Sequence, residues 1–110
     1  MAVITSNPSI LDEIVSRLAK GLGAEQIYLF GSQARGQAGP GSDYDLLVVV
    51  PKSDLTRYQR EALSYDLLWG LATPVDVIVL TRAEFTRTAQ VRTSLAASVK
   101  AEGQLLYERP

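Results

Sequence analysis

The chain has 110 residues, 46% hydrophobic and 21% charged, which is typical of a globular protein with one modest core. Eleven Lys and Arg residues against twelve Asp and Glu residues give a formal net charge of −1. The basic excess typical of proteins that bind duplex nucleic acid is therefore absent. Cys and His are both absent, which excludes disulfides, thiolate chemistry and His-based metal sites. Any catalysis must depend on carboxylates, Lys, Tyr or Ser.

No apolar run approaches the roughly 18 residues that a membrane-spanning helix needs. Residues 1–9 also lack the charged and apolar regions of a signal peptide. No repeat, low-complexity segment or linker divides the sequence. We therefore predict a cytoplasmic protein with a single domain over residues 1–110.

Apolar periodicity, capping residues and turn residues predict helices that alternate with strands. Asn7 and Pro8 resemble an N-cap and a first-turn proline, and Gly21 and Gly23 end the helix that follows. The next predicted segments are a strand at 26–30, one or two helical turns within 32–36, a loop at 37–42, and a continuously apolar strand at 44–50. Such an apolar strand suits burial on both faces of a sheet.

The second half of the chain continues the alternation. Ser53 or Asp54 starts a helix, and Thr81 and Glu84 form a capping-box pattern, Thr-x-x-Glu, at the start of another. The predicted segments are a helix at 55–71, a strand at 75–80, a helix at 94–102 that ends at Gly103, and a short edge strand at 105–107. The order α-β-α-β-α-β-α predicts an α/β protein of the α+β type, with a small mixed sheet.

Two carboxylates, Asp43 and Asp45, lie at i and i+2 where the second strand begins, so their side chains point to the same face. Carboxylates held together repel each other unless they share a proton or a cation. Oxygen ligands of this kind suit Mg²⁺ or Mn²⁺. An Asp after Gly-Ser can equally make an Asx-turn that caps the loop, so the pair alone does not decide between a site and a turn.

A second group of candidate residues flanks the strands. Gly31 and Ser32 follow the first strand, where a glycine allows close approach of a ligand and free N–H groups at a helix start attract phosphate. Arg35 could reach the same anion, although Gly-Ser is also a common turn. Asp76 lies in the apolar run Pro-Val-Asp-Val-Ile-Val-Leu, where a carboxylate is costly unless it has a partner or faces water at a sheet edge.

These features can form one site in only one arrangement of strands. Gly31 ends the first strand and Asp43 begins the second, so these two strands must be antiparallel. Asp76 begins the third strand, so it joins Asp45 only if strands two and three are parallel, with the intervening helix as the crossover. The sequence therefore predicts a mixed sheet with three carboxylates at one end.

Residues 31–36, Gly-Ser-x-Ala-Arg-Gly, and residues 42–48, Ser-Asp-Tyr-Asp-Leu-Leu-Val, resemble the signature of the polymerase-β-like nucleotidyltransferase superfamily. The resemblance is strongest to its smallest branch, the minimal nucleotidyltransferase (MNT) domain. That pattern is Gly-Ser, ten residues and then Asp-x-Asp, and residues 33–42 supply the ten. Asp76 matches the third carboxylate, and residues 100–108 also resemble the branch.

This resemblance implies the nucleotidyltransferase fold and Mg²⁺-dependent transfer of a nucleoside monophosphate, with release of pyrophosphate. Asp43 and Asp45 would hold two Mg²⁺ ions. Asp76 would ligate the second ion and help to deprotonate the attacking hydroxyl. Gly31 and Ser32 would bind the phosphates of a nucleoside triphosphate, with ATP as the expected substrate.

The same resemblance implies a partner, a helical toxin of the HEPN type, which this chain would silence by adenylylation as its antitoxin. The alternatives are an antitoxin that covers its partner without catalysis, a transferase for small aminoglycoside-like substrates, and a structural α/β domain with accidental acidic residues. All three carboxylates are present, which favours catalysis. Trp69 and other apolar residues of the predicted helices could serve the core, a partner or a homo-oligomer. We expect no membrane contact and no strong direct binding of nucleic acid.

Overall fold

The computed structural model describes residues 9–31 and 43–110. Its helices are α1 (Ile10–Leu22), α2 (Arg57–Leu67), α3 (Arg82–Ala89) and α4 (Leu95–Glu102), and its strands are β1 (Gln26–Phe30), β2 (Tyr44–Val50), β3 (Val75–Thr81) and β4 (Gln104–Glu108). The helical turns and loop predicted within 32–42 lie outside the described residues. None of the helices in the described ranges is long and apolar enough to cross a bilayer.

The strands form one sheet in the order β3-β2-β1-β4. β1 is antiparallel to β2 and to β4, whereas β2 is parallel to β3. A parallel pair needs a crossover connection, which α2 provides. The predicted mixed sheet is therefore confirmed, as is the edge strand near the C-terminal end of the sequence.

The apolar run of β2 is explained by helices on both faces of the sheet. Leu46 and Val48 pack in a core with α1 and the end of α2, whereas Leu47 and Val49 pack in a second core with α3 and α4. Successive side chains of a strand point to opposite faces. Asp45 therefore points to the face of Leu47, on the side of α3 and α4.

The first helix begins two residues later than predicted. Ser9 is its N-cap: the Ser9 hydroxyl accepts a hydrogen bond from the N–H of Asp12 at 3.1 Å, and the Asp12 carboxylate accepts one from the N–H of Ser9. Asn7 and Pro8, the predicted cap and first-turn proline, lie outside the described residues. Because Ser9 occupies the N-cap position, the assignment of this cap to Asn7 is wrong.

Two glycines near the end of α1 have different roles. Gly23 is the C-cap, with a left-handed φ of 65°, as its place in the sequence predicts. Gly21 does not end the helix but lies within it. A Cβ at Gly21 would overlap the side chain of Leu67, so this glycine lets α1 and α2 approach each other closely.

Helix α2 is shorter than the predicted range 55–71. Its N-cap is Thr56, whose hydroxyl accepts from the N–H of Gln59 at 3.1 Å, while the Gln59 side chain accepts from the N–H of Thr56 at 2.9 Å. This capping box lies two or three residues after Ser53 and Asp54, so the prediction that one of them starts the helix is wrong.

The predicted capping box of α3 and the predicted end of α4 at Gly103 are confirmed, and the structure adds Ser94 as the N-cap of α4. The Thr81 hydroxyl accepts from the N–H of Glu84 at 3.1 Å, and the Glu84 carboxylate accepts from the N–H of Thr81 at 2.8 Å. Ser94 caps α4 through the N–H of Ala97 at 3.0 Å, and Gly103 follows the helix. These local signals set the helix boundaries because each satisfies an otherwise unpaired backbone N–H.

Candidate active site

The register of β2 with β3 places two carboxylates side by side. Asp45 is the partner of Asp76 in the parallel pair, and strand alternation points both side chains to the face covered by α3 and α4. Asp43 lies two residues before Asp45, immediately outside the strand, and is exposed. The structure thus brings Asp43, Asp45 and Asp76 to the same end of the sheet.

Asp45 is the most perturbed of the three acids. Partial burial raises the pKa of its carboxyl group above the ordinary value, and the negative charges of Asp76 and Asp43 raise the pKa further. A positive ligand at this end of the sheet would offset that repulsion. The local charge and the oxygen-only donor set therefore fit a hard divalent cation such as Mg²⁺.

Gly31 lies directly against the Asp45 carboxylate, across the antiparallel pair of β1 and β2. Its φ is 75°, and a Cβ built there would overlap the Oδ2 atom of Asp45 and lie 3.2 Å from its Cγ. Only glycine meets both requirements without strain, because it tolerates positive φ and has no side chain. The end of β1 therefore fixes the space that the Asp45 carboxylate occupies.

Ser32 and Arg35, the predicted phosphate-binding residues, lie outside the described residues. Within residues 9–31 and 43–110, no three acidic side chains are close enough to enclose a metal ion. The fit to a cation therefore rests on the charge around Asp45, and the acids would have to converge when the ligand binds.

Two clefts on the face of the sheet to which Asp45 and Asp76 point were not predicted from the sequence. One, of about 140 Å³, lies between Gly31 and the α4 residues Ser98 and Glu102. The other, of about 200 Å³, has Leu47 and Ile78 in its lining, each two residues after an acid of the site, together with Arg57. Their walls come from segments far apart in the sequence, so no local pattern indicates them.

The sequence matches the nucleotidyltransferase domain family over residues 9–106. The chain belongs to this family. A curated relative, the poly(A) polymerase PAPa of Candida albicans, is 44% identical over 62 residues, which make up 56% of this chain. The match spans only 11% of that polymerase. The similarity to PAPa is therefore local.

Solved structures share the fold over almost the whole chain. A Sulfolobus solfataricus protein classed as a nucleotidyltransferase is 27% identical, with a TM-score of 0.64 over 90% of this chain and 78% of its own. A chain in a variant of the MntA–HpeT toxin–antitoxin structure is 25% identical, with a TM-score of 0.62 over 93% of this chain and 75% of its own. A chain of a toxin–antitoxin structure with AMP-PNP is 23% identical, with a TM-score of 0.59 and coverages of 92% and 75%. These matches confirm the predicted fold.

Proposed function

We propose that this protein is a Mg²⁺-dependent nucleotidyltransferase of the MNT type, with one domain over residues 1–110, which transfers AMP from ATP to a hydroxyl group of a partner protein. The proposal rests on one observation, the pairing of Asp45 with Asp76 on adjacent parallel strands, with the Asp45 carboxylate against Gly31. Membership of the nucleotidyltransferase family supports it.

Asp43, Asp45 and Asp76 are the residues that would hold the two Mg²⁺ ions, whose bound charge would neutralise the triphosphate and favour ionisation of the acceptor hydroxyl. Asp45, partly buried and in register with Asp76, sets the position of the negative charge at the end of the sheet. Asp76 is exposed, so it can face an incoming hydroxyl group and accept its proton.

In this reaction the acceptor oxygen forms a bond to the α-phosphorus of ATP. The bond from that phosphorus to the oxygen bridging the β-phosphate breaks, and pyrophosphate leaves with the electron pair. Gly31, which has no side chain, lets the Asp45 carboxylate lie directly against the end of β1, and its backbone is the proposed phosphate contact on that side of the acids. Ser32 and Arg35 remain the proposed additional phosphate ligands.

The proposed acceptor is a helical toxin of the HEPN type, with this chain as the antitoxin that silences it in the cytoplasm. Two observations support this choice. Matched structures include toxin–antitoxin complexes, one of them with AMP-PNP. The clefts beside Gly31 and Ile78 also lie on the face to which the acids point, where an acceptor can approach.

Transfer can be tested by co-purifying this protein with the product of the adjacent gene and incubating both with labelled ATP and Mg²⁺. Intact mass should show the partner heavier by one or more AMP units. Asp76→Asn should abolish the gain, whereas Asp54→Asn, an exposed acid beyond the other end of β2, should preserve it.

The other outcomes separate the alternatives. A stable complex without a mass gain would indicate an antitoxin that acts by binding alone. Turnover of a small hydroxylated substrate, with no complex and no labelled protein, would indicate a small-molecule transferase. Equal labelling by wild type and Asp76→Asn would contradict the proposed site.

A further inference from the structure

Helix α2 turns polar side chains to the core and aromatic side chains to the solvent. Its buried residues are Arg60 and Ser64. By contrast, Tyr58 is 79% exposed, and Trp69, in the turn that follows the helix, is 86% exposed. A surface helix normally has the opposite polarity. Tyr and Trp are enriched where proteins contact each other, so the outer face of α2 has the composition of an interface.

The exposed aromatic residues of α2 and of the turn that follows it lie in one stripe. Tyr58, Ala62, Tyr65 and Trp69 are spaced by four, three and four residues, and each is exposed. This spacing keeps them on one side of a helix and is the spacing by which two helices interlock. Leu55, 41% exposed, extends the stripe just ahead of the helix.

The stripe ends in a recess. An apolar cleft of about 520 Å³ lies between the end of α2 and the start of β3, with Tyr65, Trp69 and Val75 in its lining. Tyr65 is held in place because its hydroxyl accepts a hydrogen bond from the N–H of Val77 at 3.2 Å. The outer face of α2 therefore has a protruding residue, Tyr58, at one end and a cleft at the other.

We infer that α2 forms a homodimer, in which the α2 helices of two copies pack antiparallel about a two-fold axis at Ala62. The stripe is complementary to itself about this position, as a two-fold interface requires. The small Ala62 lets the helices approach closely at the axis. On either side of the axis at Ala62, Tyr58 faces the partner's Tyr65. Farther from the axis, Leu55 faces the partner's Trp69 and the cleft beside it.

The exposed area and the charges agree with this pairing. With about 200 Å² for a fully exposed aromatic side chain, the stripe exposes roughly 500 Å² per copy. Complete pairing would bury at most about 1,000 Å² in total, which is the size of a weak, reversible dimer interface. Arg57 and Glu61, next to the stripe, already neutralise each other at 2.9 Å. Antiparallel packing also separates the two Asp66 side chains and places each near the neutral Gln59 of the partner subunit.

The dimer is independent of nucleotidyl transfer. Helix α2 covers the face of the sheet opposite to the one that Asp45 and Asp76 point to. Arg57, at the start of α2, also lines the cleft beside Ile78, so in the dimer an acceptor would reach the acids through the cleft beside Gly31. Loss of activity in Asp45→Asn should leave the dimer unchanged.

The chain contains no Cys, so single thiols can report the arrangement without interference. Ala62→Cys places a thiol at the proposed axis, and Ala101→Cys places one on α4 at a similarly exposed helical position. Sedimentation of the wild type at tens of micromolar should give twice 12.0 kDa. Mild oxidation should link Ala62→Cys at least about tenfold faster than Ala101→Cys, because the dimer raises the local thiol concentration.

Asp66→Cys tests the direction of the helices. In the antiparallel dimer its two thiols lie about 12 Å apart along the helix axes, so this variant should cross-link slowly. Ala62→Arg should yield a folded monomer, whereas Ala101→Arg should remain a dimer, since Arg is a good helix former at either site.

Three results would overturn the inference. The first is a wild type that stays monomeric or that assembles only with a different helical protein. The second is an equal rate of cross-linking in Ala62→Cys and Ala101→Cys. The third is cross-linking of Asp66→Cys as fast as that of Ala62→Cys.

Discussion

The two ends of the sheet both carry carboxylates, but their surroundings are opposite. At the end where β1 begins, Glu25 receives hydrogen bonds from Arg82, one of them at 2.8 Å, and these bonds lower the pKa of Glu25. At the other end, Asp45 is partly buried beside other acids, and its pKa is raised. One end satisfies its negative charge within the fold, whereas the described part of the other end does not.

A third carboxylate shows how a satisfied acid stabilises the fold. Arg60, 6% exposed, donates to Glu84 at 2.8 Å and to the carbonyl of Val79 at 2.9 Å, which ties α2, β3 and α3 together. The hydrogen bond from Arg60 is the main cause that lowers the pKa of Glu84 to about 2, followed by the backbone N–H of Thr81. Carboxylates with arginine partners maintain the structure, and those held near like charges indicate a binding site for a cation.

The largest expected effect is on catalysis, from Asp45→Asn. Because Asp45 is a proposed ligand of the metal, its removal should reduce the proposed AMP transfer by about 10³-fold or more. The same change removes like-charge repulsion, so at neutral pH the free energy of unfolding should stay equal or rise by less than about 1 kcal/mol. Initial rates and thermal unfolding measure the two effects. Full activity in this variant would remove Asp45 from the proposed site.

The opposite behaviour is expected at Glu84. Glu84→Gln leaves the buried guanidinium of Arg60 without its carboxylate, which should lower the free energy of unfolding by about 2–3 kcal/mol, since the Glu84 side chain is partly exposed. Glu61→Gln is the matched control, because its partner Arg57 is 56% exposed, and it should cost under about 0.5 kcal/mol. Denaturant titration compares them. Equal losses in the two variants would show that the Arg60 pair adds no special stability.

Gly31→Ala should lower the free energy of unfolding by less than Glu84→Gln does. Gly23→Ala is the control that separates the backbone cost of a positive φ from the effect of contact with Asp45. Both glycines have positive φ, 75° and 65°, so each alanine should cost about 1 kcal/mol for the backbone alone. A Cβ at Gly23 meets no atom within 4 Å, whereas one at Gly31 overlaps Asp45. Only Gly31→Ala should therefore also reduce AMP transfer. Similar activity in the two variants would show that the Asp45 carboxylate can move without loss.

The pH dependence of stability distinguishes Glu84, which is paired with an arginine, from Asp45, which lies among other acids. The pKa of Glu84 is about 2 in the fold against an ordinary 4.5, so its stabilisation is present above the ordinary value and is lost as pH falls toward 2. Asp45 has a raised pKa, so its protonation on acidification should favour the fold.

The stability difference between wild type and Glu84→Gln should therefore shrink between neutral pH and about pH 3. Urea titrations of both proteins at each pH provide the measurement. A difference that stays constant would contradict the lowered pKa of Glu84.

The arrangement of strands was predictable from the sequence because Asp45 and Asp76 can meet only across parallel strands. Helix starts were less certain, because Ser53, Asp54 and Thr56 are all common N-caps. The two hydrogen bonds between Thr56 and Gln59, one from each backbone N–H to the other side chain, decide among them.

The contacts that distinguish the two ends of the sheet were not predictable. Arg60 and Glu84 have the sequence pattern of surface charges, and their pairing depends on how α2 packs beside β3. The contact of Gly31 with Asp45 also joins two strands, and local sequence patterns do not encode such contacts. The roles of Ser32 and Arg35 stay predictions.

The most direct test of the contrast between the two ends is a calorimetric titration with Mg²⁺ and a non-hydrolysable ATP analogue. We predict binding to the wild type and to Glu25→Gln, and loss of binding in Asp45→Asn, although all three proteins should remain folded. Binding to Asp45→Asn with wild-type affinity, or equal loss in Asp45→Asn and Glu25→Gln, would contradict the assignment of the acidic end of the sheet as the metal and nucleotide site.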